Sequence, residues 1–167
     1  MIAHGKVVSD PTYAPTLARV VLRQPIAADL SRLGEWNAGL IRDEGHDNPM
    51  SVAELTERMR EWLAGEYRAR IFVCDDIDAG YALYRDLPEF VHLRQFYVAP
   101  EWRRRGIGAA ALQVLREREF PAGKRVLVEA MSWNAAALAF WRACGFGDRY
   151  VGLEAPPLPK ADRGRVR

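Results

Sequence analysis

The chain has 167 residues, of which 49% are hydrophobic and 28% are charged. This length suits one domain with a buried core, and the composition excludes a disordered or collagen-like chain. With 24 Lys and Arg against 22 Asp and Glu, the net charge of +2 gives no general reason to expect a nucleic-acid partner.

The residues that build disulfide scaffolds and metal sites are scarce. Cys74 and Cys144 do not form a Cys-x-x-Cys pair, and the sequence has three histidines to join them. The first residues lack the apolar run of a signal peptide, and no stretch approaches the ~18 apolar residues of a membrane span. We therefore expect a cytoplasmic protein without a metal and without a membrane partner.

Hydrophobic periodicity predicts a strand followed by two helices in the first part of the chain. Residues 18–23 read as a strand, and residues 27–41 place apolar side chains and Asn37 close to the spacing of one helical face. A polar loop follows. Ser51 and Glu54 then form a capping-box pattern, which predicts the start of a second helix.

The remaining pattern alternates strands and helices. In chain order it predicts strands at 70–74, 80–85 and 91–98, a helix at 106–120, a strand at 125–131, a helix at 134–143 and a strand at 148–154. The order β-α-α-β-β-β-α-β-α-β indicates a mixed α/β fold, with one sheet and helices on both faces. We expect one domain over residues 1–167, whose basic end, 155–167, is a flexible tail.

The clearest chemical pattern follows the strand that ends at Val98. Gly106 and Gly108 open the next helix, where backbone N–H groups and the helix N-terminus attract an anion. Residues 103–105 are all arginine, and residues 101–125 contain seven basic and three acidic side chains, a local charge of +4. This combination predicts a site for a polyphosphate group.

We compared this pattern with the sequence motifs of known phosphate-binding loops. A P-loop needs Gly-Lys-Ser/Thr, whereas alanines follow Gly108 here, which excludes it. The dinucleotide fingerprint fits Gly106-x-Gly108-x-x-Ala111 with Glu129 about twenty residues later, but its strand should run directly into the first glycine. A dinucleotide site stays a minor alternative, as does a loop with solvated arginines and no ligand.

Two motifs together resemble the GNAT superfamily of N-acetyltransferases. The run Val98-Ala-Pro-Glu-Trp-Arg-Arg-Arg-Gly106-Ile-Gly108 is similar to the family's Val-x-Pro-Glu-Tyr/Trp-Arg lead-in followed by Arg/Gln-x-x-Gly-x-Gly/Ala. Downstream, Asn134-x-x-Ala-x-x-Phe140-Trp-x-x-Cys-Gly-Phe146 resembles Asn-x-x-Ala-x-x-Phe-Tyr-x-x-x-Gly-Phe. The resemblance is strong over residues 93–146, and the predicted strand order extends it over most of the chain.

This resemblance implies acetyl-CoA as cosubstrate. The strand before the loop, at a bulge where neighbouring strands splay apart, should pair with the pantetheine arm. The loop amides should hold the pyrophosphate, and the last helix should line the opposite wall. The residues implied are Phe96, Tyr97, Val98, Arg103, Arg104, Arg105, Gly106, Ile107, Gly108, Ala109, Asn134, Phe140 and Trp141.

The resemblance also implies direct attack of an amine on the thioester, and the amine must first lose a proton. Glu129 is one candidate base, on a strand among apolar neighbours. His92 is a second, and alternation predicts that it shares a face with Phe96 and Val98. His46, in the loop between the first two helices, is a third.

The usual tyrosine acid of the family is replaced by Trp141, whose indole N–H cannot usefully transfer a proton. Either Tyr97 or Tyr150 takes its place, or the thiolate leaves without a dedicated acid, since a thiol pKa is about 8.5. The missing tyrosine keeps a non-catalytic acyl-CoA-binding domain open as the alternative function.

The acceptor is expected to be a primary amine of a small molecule, peptide or protein. The acidic residues Asp43, Glu44 and Asp47 would favour a cationic amine if their loop lines the acceptor side, and a solvated face explains them equally well. Similar proteins often form a homodimer through the C-terminal strand, so a dimer is possible.

Overall fold

The computed structural model describes residues 19–45 and 47–155, and within them five strands form one sheet. The strands are β1 Val21–Arg23, β2 Arg68–Cys74, β3 Ile77–Asp86, β4 Phe90–Val98 and β5 Arg125–Val128. The helices are α1 Leu30–Glu44, α2 Val52–Ala64, α3 Ile107–Arg118 and α4 Ala135–Ala143.

The sheet is mixed. Its strands lie in the order β1-β2-β3-β4-β5, with antiparallel pairing up to β4 and parallel pairing between β4 and β5. The parallel pair needs a crossover, which α3 supplies. The mixed α/β class predicted from the sequence is confirmed.

Two apolar clusters fill the two faces of the sheet. Under α1 and α2 the buried side chains include Leu33, Met59, Ile71, Tyr81 and Tyr97. Under α3 and α4 they include Phe72, Leu93, Ile107, Leu115 and Trp141. Each fully buried Leu, Ile or Met contributes ~1.5–3 kcal/mol relative to exposure, so both helix pairs are fixed to the sheet by burial.

The start of α2 follows the predicted capping box. The Ser51 hydroxyl accepts a hydrogen bond from the Glu54 backbone N–H at 3.3 Å, and the Glu54 carboxylate accepts from the Ser51 N–H at 2.7 Å. The helix then packs closely on α1, because a Cβ added at Gly34 would lie 2.0 Å from the Thr56 hydroxyl oxygen. Gly34 therefore permits the close approach of α1 and α2.

The predicted strand at 148–154 is wrong. This segment has no regular structure and no ladder partner among the described residues, and the side chains of Val151 and Leu153 are 82% and 94% exposed. Glycines at 147 and 152 weaken any strand there. Residue 18, His46 and the predicted tail beyond Ala155 lie outside the described residues.

Arg23 joins three elements at the edge of the sheet. Its guanidinium donates two hydrogen bonds to Asp29, just before α1, at 2.7 and 2.8 Å. It also donates to Asp78 on β3 at 2.9 and 2.6 Å. The hydrogen bonds from Arg23 lower the pKa of Asp29 to about 2. The short strand β1 is thereby tied to both neighbouring elements.

We expect Asp29→Asn to lower the free energy of unfolding by about 2 kcal/mol at pH 7. Because the pKa of Asp29 is lowered on folding from its ordinary 3.8 to about 2, its contribution is complete above pH 4 and is lost as the pH falls towards 2. Urea denaturation at pH 7, 3 and 2 should show the difference between variant and wild type shrinking to about half and then almost to zero.

Asp76→Asn is the matched control, because Asp76 is exposed in the turn between β2 and β3. It should change the unfolding free energy by less than about 0.5 kcal/mol at each pH. A difference for Asp29→Asn that stays constant from pH 7 to pH 2 would contradict the assignment.

Candidate active site

Strands β4 and β5 separate halfway along β4. Their parallel pairing runs from Phe90–Arg125 to Leu93–Val128 and stops there, although β4 continues to Val98. We call the wedge between residues 94–98 and the chain after Val128 the fork. Backbone groups on this edge of β4 have no strand partner within the described residues, so they can hydrogen-bond an extended ligand.

One extra residue in β4 lies at the mouth of the fork. Leu83 and Tyr84 of β3 pair with Gln95 and Leu93, so Arg94 has no partner across the ladder. This is a β-bulge at Arg94, two residues before Phe96, where the resemblance implies that the bulge begins. Since side chains alternate along a strand, the extra residue puts Arg94 and Gln95 on the same face.

The bulge decides which side chains share a face of the sheet. Val91 before the bulge and Phe96 after it both pack in the cluster under α3 and α4. His92 therefore lies on the opposite face, with Tyr97, which packs under α1 and α2. The prediction that His92 shares a face with Phe96 and Val98 is wrong, because it counted alternation without the extra residue.

The start of α3 contains backbone N–H groups that are free to donate hydrogen bonds to a ligand. Gly106, at φ +76°, precedes the helix, and no side chain caps the first turn, so the N–H groups of residues 107–109 have no intrahelical partner. Arg104, also left-handed at φ +61°, and Arg105 are exposed beside them. These donors and charges fit a pyrophosphate, and nothing lies within 4 Å of a Cβ added at Gly106.

Arg103 is held by the protein. Its Nε donates to the Val98 carbonyl oxygen at 2.8 Å and its Nη2 to Asp43 at 2.6 Å, while its guanidinium lies 5.3 Å from the centre of the Tyr97 ring. The Arg103 side chain therefore fixes the end of β4 to α1.

The opposite wall comes from α4. Asn134 caps this helix, since its side-chain oxygen accepts from the Ala137 N–H at 3.0 Å. The Phe140 ring lies 5.8 Å from that of Phe96, and a Cβ added at Gly108 would lie 3.2 Å from Phe140. Absence of a side chain at Gly108 thus lets α4 approach the first turn of α3.

Trp141 is a buried member of an aromatic group. Its ring centre lies 5.4 Å from Phe96, 4.9 Å from Phe140 and 5.1 Å from Phe146, all in edge-to-face contact. The side chain that replaces the expected tyrosine is therefore packed at the base of the wall.

Glu129 and His92 meet on the α1–α2 side of the fork. His92 Nε2 lies 3.8 Å from Glu129 Oε2, and the Tyr150 hydroxyl donates to Glu129 Oε1 at 2.6 Å. Burial lowers the pKa of His92, so its imidazole is neutral at pH 7. The hydrogen bond to Glu129 raises the pKa of Tyr150. A proton acceptor, a neutral imidazole and a hydroxyl thus lie together.

Tyr97 is placed differently from Tyr150. It is buried against α1, where a Cβ added at Gly39 would lie 2.5 Å from its hydroxyl oxygen, and its ring neighbours are Trp36 and Tyr81. Burial raises its pKa. Of the two tyrosine candidates, Tyr150 is the one that bonds Glu129.

A groove of about 1530 Å³ runs from the fork between α1, α2 and the segment that follows α4. Glu129 lines it, together with Glu44, the last residue of α1. Asp43 is paired with Arg103, which accounts for one of the acidic side chains considered for the acceptor. Arg94 and Gln95 of β4 also line the groove.

Sequence reasoning missed a chain of buried polar side chains at this groove. The Tyr81 hydroxyl donates to Gln95 Oε1 at 2.9 Å, and Gln95 Nε2 donates to Asn37 Oδ1 at 2.8 Å. Burial raises the pKa of Tyr81 well above its ordinary value, so the hydroxyl stays protonated and acts as donor. The detectable signal was an asparagine on an otherwise apolar helical face.

Two kinds of feature are absent from the part of the chain that the structure describes. Within residues 19–45 and 47–155, no group of three or more His, Cys, Asp or Glu side chains is arranged to hold a metal ion. In the same part of the chain, no helix has the length and apolar character needed to cross a membrane.

Similar folds occur among solved acetyltransferases. A possible acetyltransferase from Clostridium difficile 630 has a TM-score of 0.66 and 15% identity, covering 84% of this chain and 98% of its own. Aminoglycoside N-acetyltransferase AAC(6')-Iy, solved in complex with CoA, has a TM-score of 0.66, 15% identity and coverage of 87% and 99%. For a predicted acetyltransferase with acetyl-CoA from Clostridium acetobutylicum the values are 0.60, 20%, 83% and 96%.

At these identities the likeness to solved structures concerns the fold. No curated protein matches the sequence. Residues 38–146 match the Acetyltransferase (GNAT) family, and this range includes the fork, the glycine loop and α4. The chain therefore belongs to the GNAT acetyltransferase family.

Proposed function

We propose that this protein transfers the acetyl group of acetyl-CoA to a primary amine by direct attack. The observation that carries the proposal is the fork, which lies between the uncapped N-terminus of α3 on one side and Glu129 with His92 on the other. One side suits a pyrophosphate, and the other suits removal of a proton.

Acetyl-CoA binding is supported by the donor groups around the fork. The amides of residues 103–109 would hold the pyrophosphate, the free edge of β4 at residues 96–98 would pair with the pantetheine arm, and Asn134, Phe140 and Trp141 would form or support the far wall. Two of the solved proteins with this fold contain CoA or acetyl-CoA, which agrees with this assignment.

The thioester of acetyl-CoA supplies an activated acetyl group: a C–N bond forms, the C–S bond breaks, and the amine nitrogen loses a proton. We assign Glu129 as the acceptor of that proton because it lines the groove at the fork. His92, neutral and 3.8 Å behind Glu129, positions this carboxylate. Tyr150, bonded to Glu129, is the hydroxyl assigned to protonate the thiolate.

We expect Gly106→Ala to abolish the stabilisation that acetyl-CoA gives the wild type. A β-carbon at φ +76° costs about 1–2 kcal/mol, and relief of this strain would move the loop amides away from the pyrophosphate. Thermal unfolding should show the wild type stabilised by acetyl-CoA and not by NAD, by about 2.7 kcal/mol at a concentration a hundredfold above Kd.

Gly123→Ala is the matched control. Gly123 has φ +81° and, like Gly106, open space around an added Cβ, but it lies between α3 and β5. This variant should lose similar stability and keep the acetyl-CoA shift. If acetyl-CoA stabilised both variants equally, the assignment of the pyrophosphate to this loop would be wrong.

We expect Glu129→Gln to lower kcat by ~10²–10⁴-fold, the usual contribution of a general base. A free-thiol assay of CoA release over a panel of amines measures this, with the acetyl-CoA thermal shift as a check that the cosubstrate still binds. Glu89→Gln is the matched control, since Glu89 lines the same groove and is exposed.

Unchanged kcat in Glu129→Gln would disprove the assignment of the base. Binding of acetyl-CoA by the wild type with no CoA release for any amine would overturn acetyl transfer. It would leave the acyl-CoA-binding domain as the function.

A further inference from the structure

Two arginine side chains meet at one tryptophan on the groove wall. The guanidinium carbons of Arg58 and Arg94 lie 4.6 and 4.7 Å from the Trp62 ring centre. Arg58 and Trp62 come from α2, and Arg94 is the bulge residue of β4. We call these three side chains the Trp62 cluster, and all three line the groove.

The Trp62 cluster has two cations and no anion. Among the described residues, the ion pairs involve other side chains, and neither Arg58 nor Arg94 forms one. Within the described residues the buried Nε of Arg58 has no acceptor, and its Nη1 donates to the sulfur of Met50 at 3.2 Å. Burial, and then the charge of Arg94, lower the pKa of Arg58.

Arg58 is half-buried, whereas Arg94 is exposed. A partly buried cation without an anion costs free energy, which an anionic ligand would offset. The N–H groups of a guanidinium lie in one plane and can donate two parallel hydrogen bonds to a carboxylate or a phosphate. Two such groups thus lie beside an open groove, and the described residues supply no carboxylate for either of them.

Asn37 independently indicates a ligand on the same wall. It is fully buried, and its Oδ1 is used by Gln95, whereas its Nδ2 has no hydrogen-bond partner among the described residues. Asn37 and Gln95 both line the groove, and Gln95 is the neighbour of Arg94 in β4. A buried donor without an acceptor is rare, and a bound oxygen atom would satisfy it.

The Trp62 cluster is also close to the proton acceptor. Arg94 and Glu129 directly follow Leu93 and Val128, the last pair of the ladder, where the strands are still about 4.8 Å apart. The charges of both Arg94 and Glu129 act on His92. A small molecule can therefore place one end at Arg94 and its amine at Glu129.

We propose that the acceptor of acetyl transfer carries a carboxylate as well as its amine, and that Arg58 and Arg94 bind this carboxylate. This inference rests on the proposed function and names its substrate class as amino acids and other small carboxylated amines. It disfavours a polycationic acceptor, which the two guanidinium groups would repel.

Matched amines test the proposal. Lysine against cadaverine, and β-alanine against β-alaninamide, differ in the carboxylate and keep the amine. With acetyl-CoA and the wild type, the free-thiol assay should give a kcat/KM about tenfold or more higher for each carboxylated amine. The corresponding 2-aminoethylphosphonate distinguishes a phosphate-like group from a carboxylate and should react more slowly than β-alanine.

Arg58→Gln and Arg94→Gln should each raise KM for the carboxylated amines and leave kcat/KM for cadaverine and β-alaninamide unchanged or higher. Arg125→Gln is the control: Arg125 lines the same groove and is exposed, but it lies at the closed end of the β4–β5 pairing. It should keep the preference for carboxylated amines.

Calorimetric titration of the same amines in the presence of CoA gives a readout that does not need turnover. Turnover of amines with no preference for the carboxylate would overturn this inference and leave acetyl transfer intact. If carboxylated amines bind more tightly in calorimetry but no CoA is released, acetyl transfer would be overturned and the carboxylate site would stand. Equal affinity for the members of each pair, or binding of none of them, would overturn the carboxylate site in either case.

Discussion

The end of the parallel pairing between β4 and β5 is the constraint on which the site depends. Up to Leu93 and Val128 the two strands satisfy each other's backbone groups, and beyond them they cannot. Apolar clusters on both faces keep the strands from collapsing together or separating further. A rigid sheet thus ends in an edge that no described strand pairs, between the layer of α3 and α4 and the layer of α1 and α2.

Charge is distributed around this edge in two separate ways. On the α3 side, positive charge comes from exposed arginines and helix amides that water can solvate. On the α1–α2 side, Arg58 is partly desolvated, and the buried Nδ2 of Asn37 lacks an acceptor among the described residues. Such unsatisfied groups lower the stability of the free protein, and they are tolerated where a ligand completes them.

Periodic patterns in the sequence were sufficient for the layers of the fold and for the glycine loop, because helix caps and apolar spacing are local properties. They failed at residues 148–154, where an alternating pattern met no neighbouring strand. They also missed the joint role of Asn37 and Gln95, since nothing local indicates that residues far apart in the chain share a hydrogen bond. The contact between Arg58 and Arg94 through Trp62 is equally non-local.

The bulge at Arg94 has a consequence for comparing this chain with its structural neighbours. At identities of 15–21%, positions along β4 are aligned mainly by counting residues from the strand ends. An alignment error of one residue exchanges the two faces of the strand. Residue roles before and after Arg94 therefore have to be transferred separately between homologues. A relative that lacks the inserted residue would turn the counterpart of His92 towards α3, and a carboxylate at the position of Glu129 would then lack the imidazole beside it.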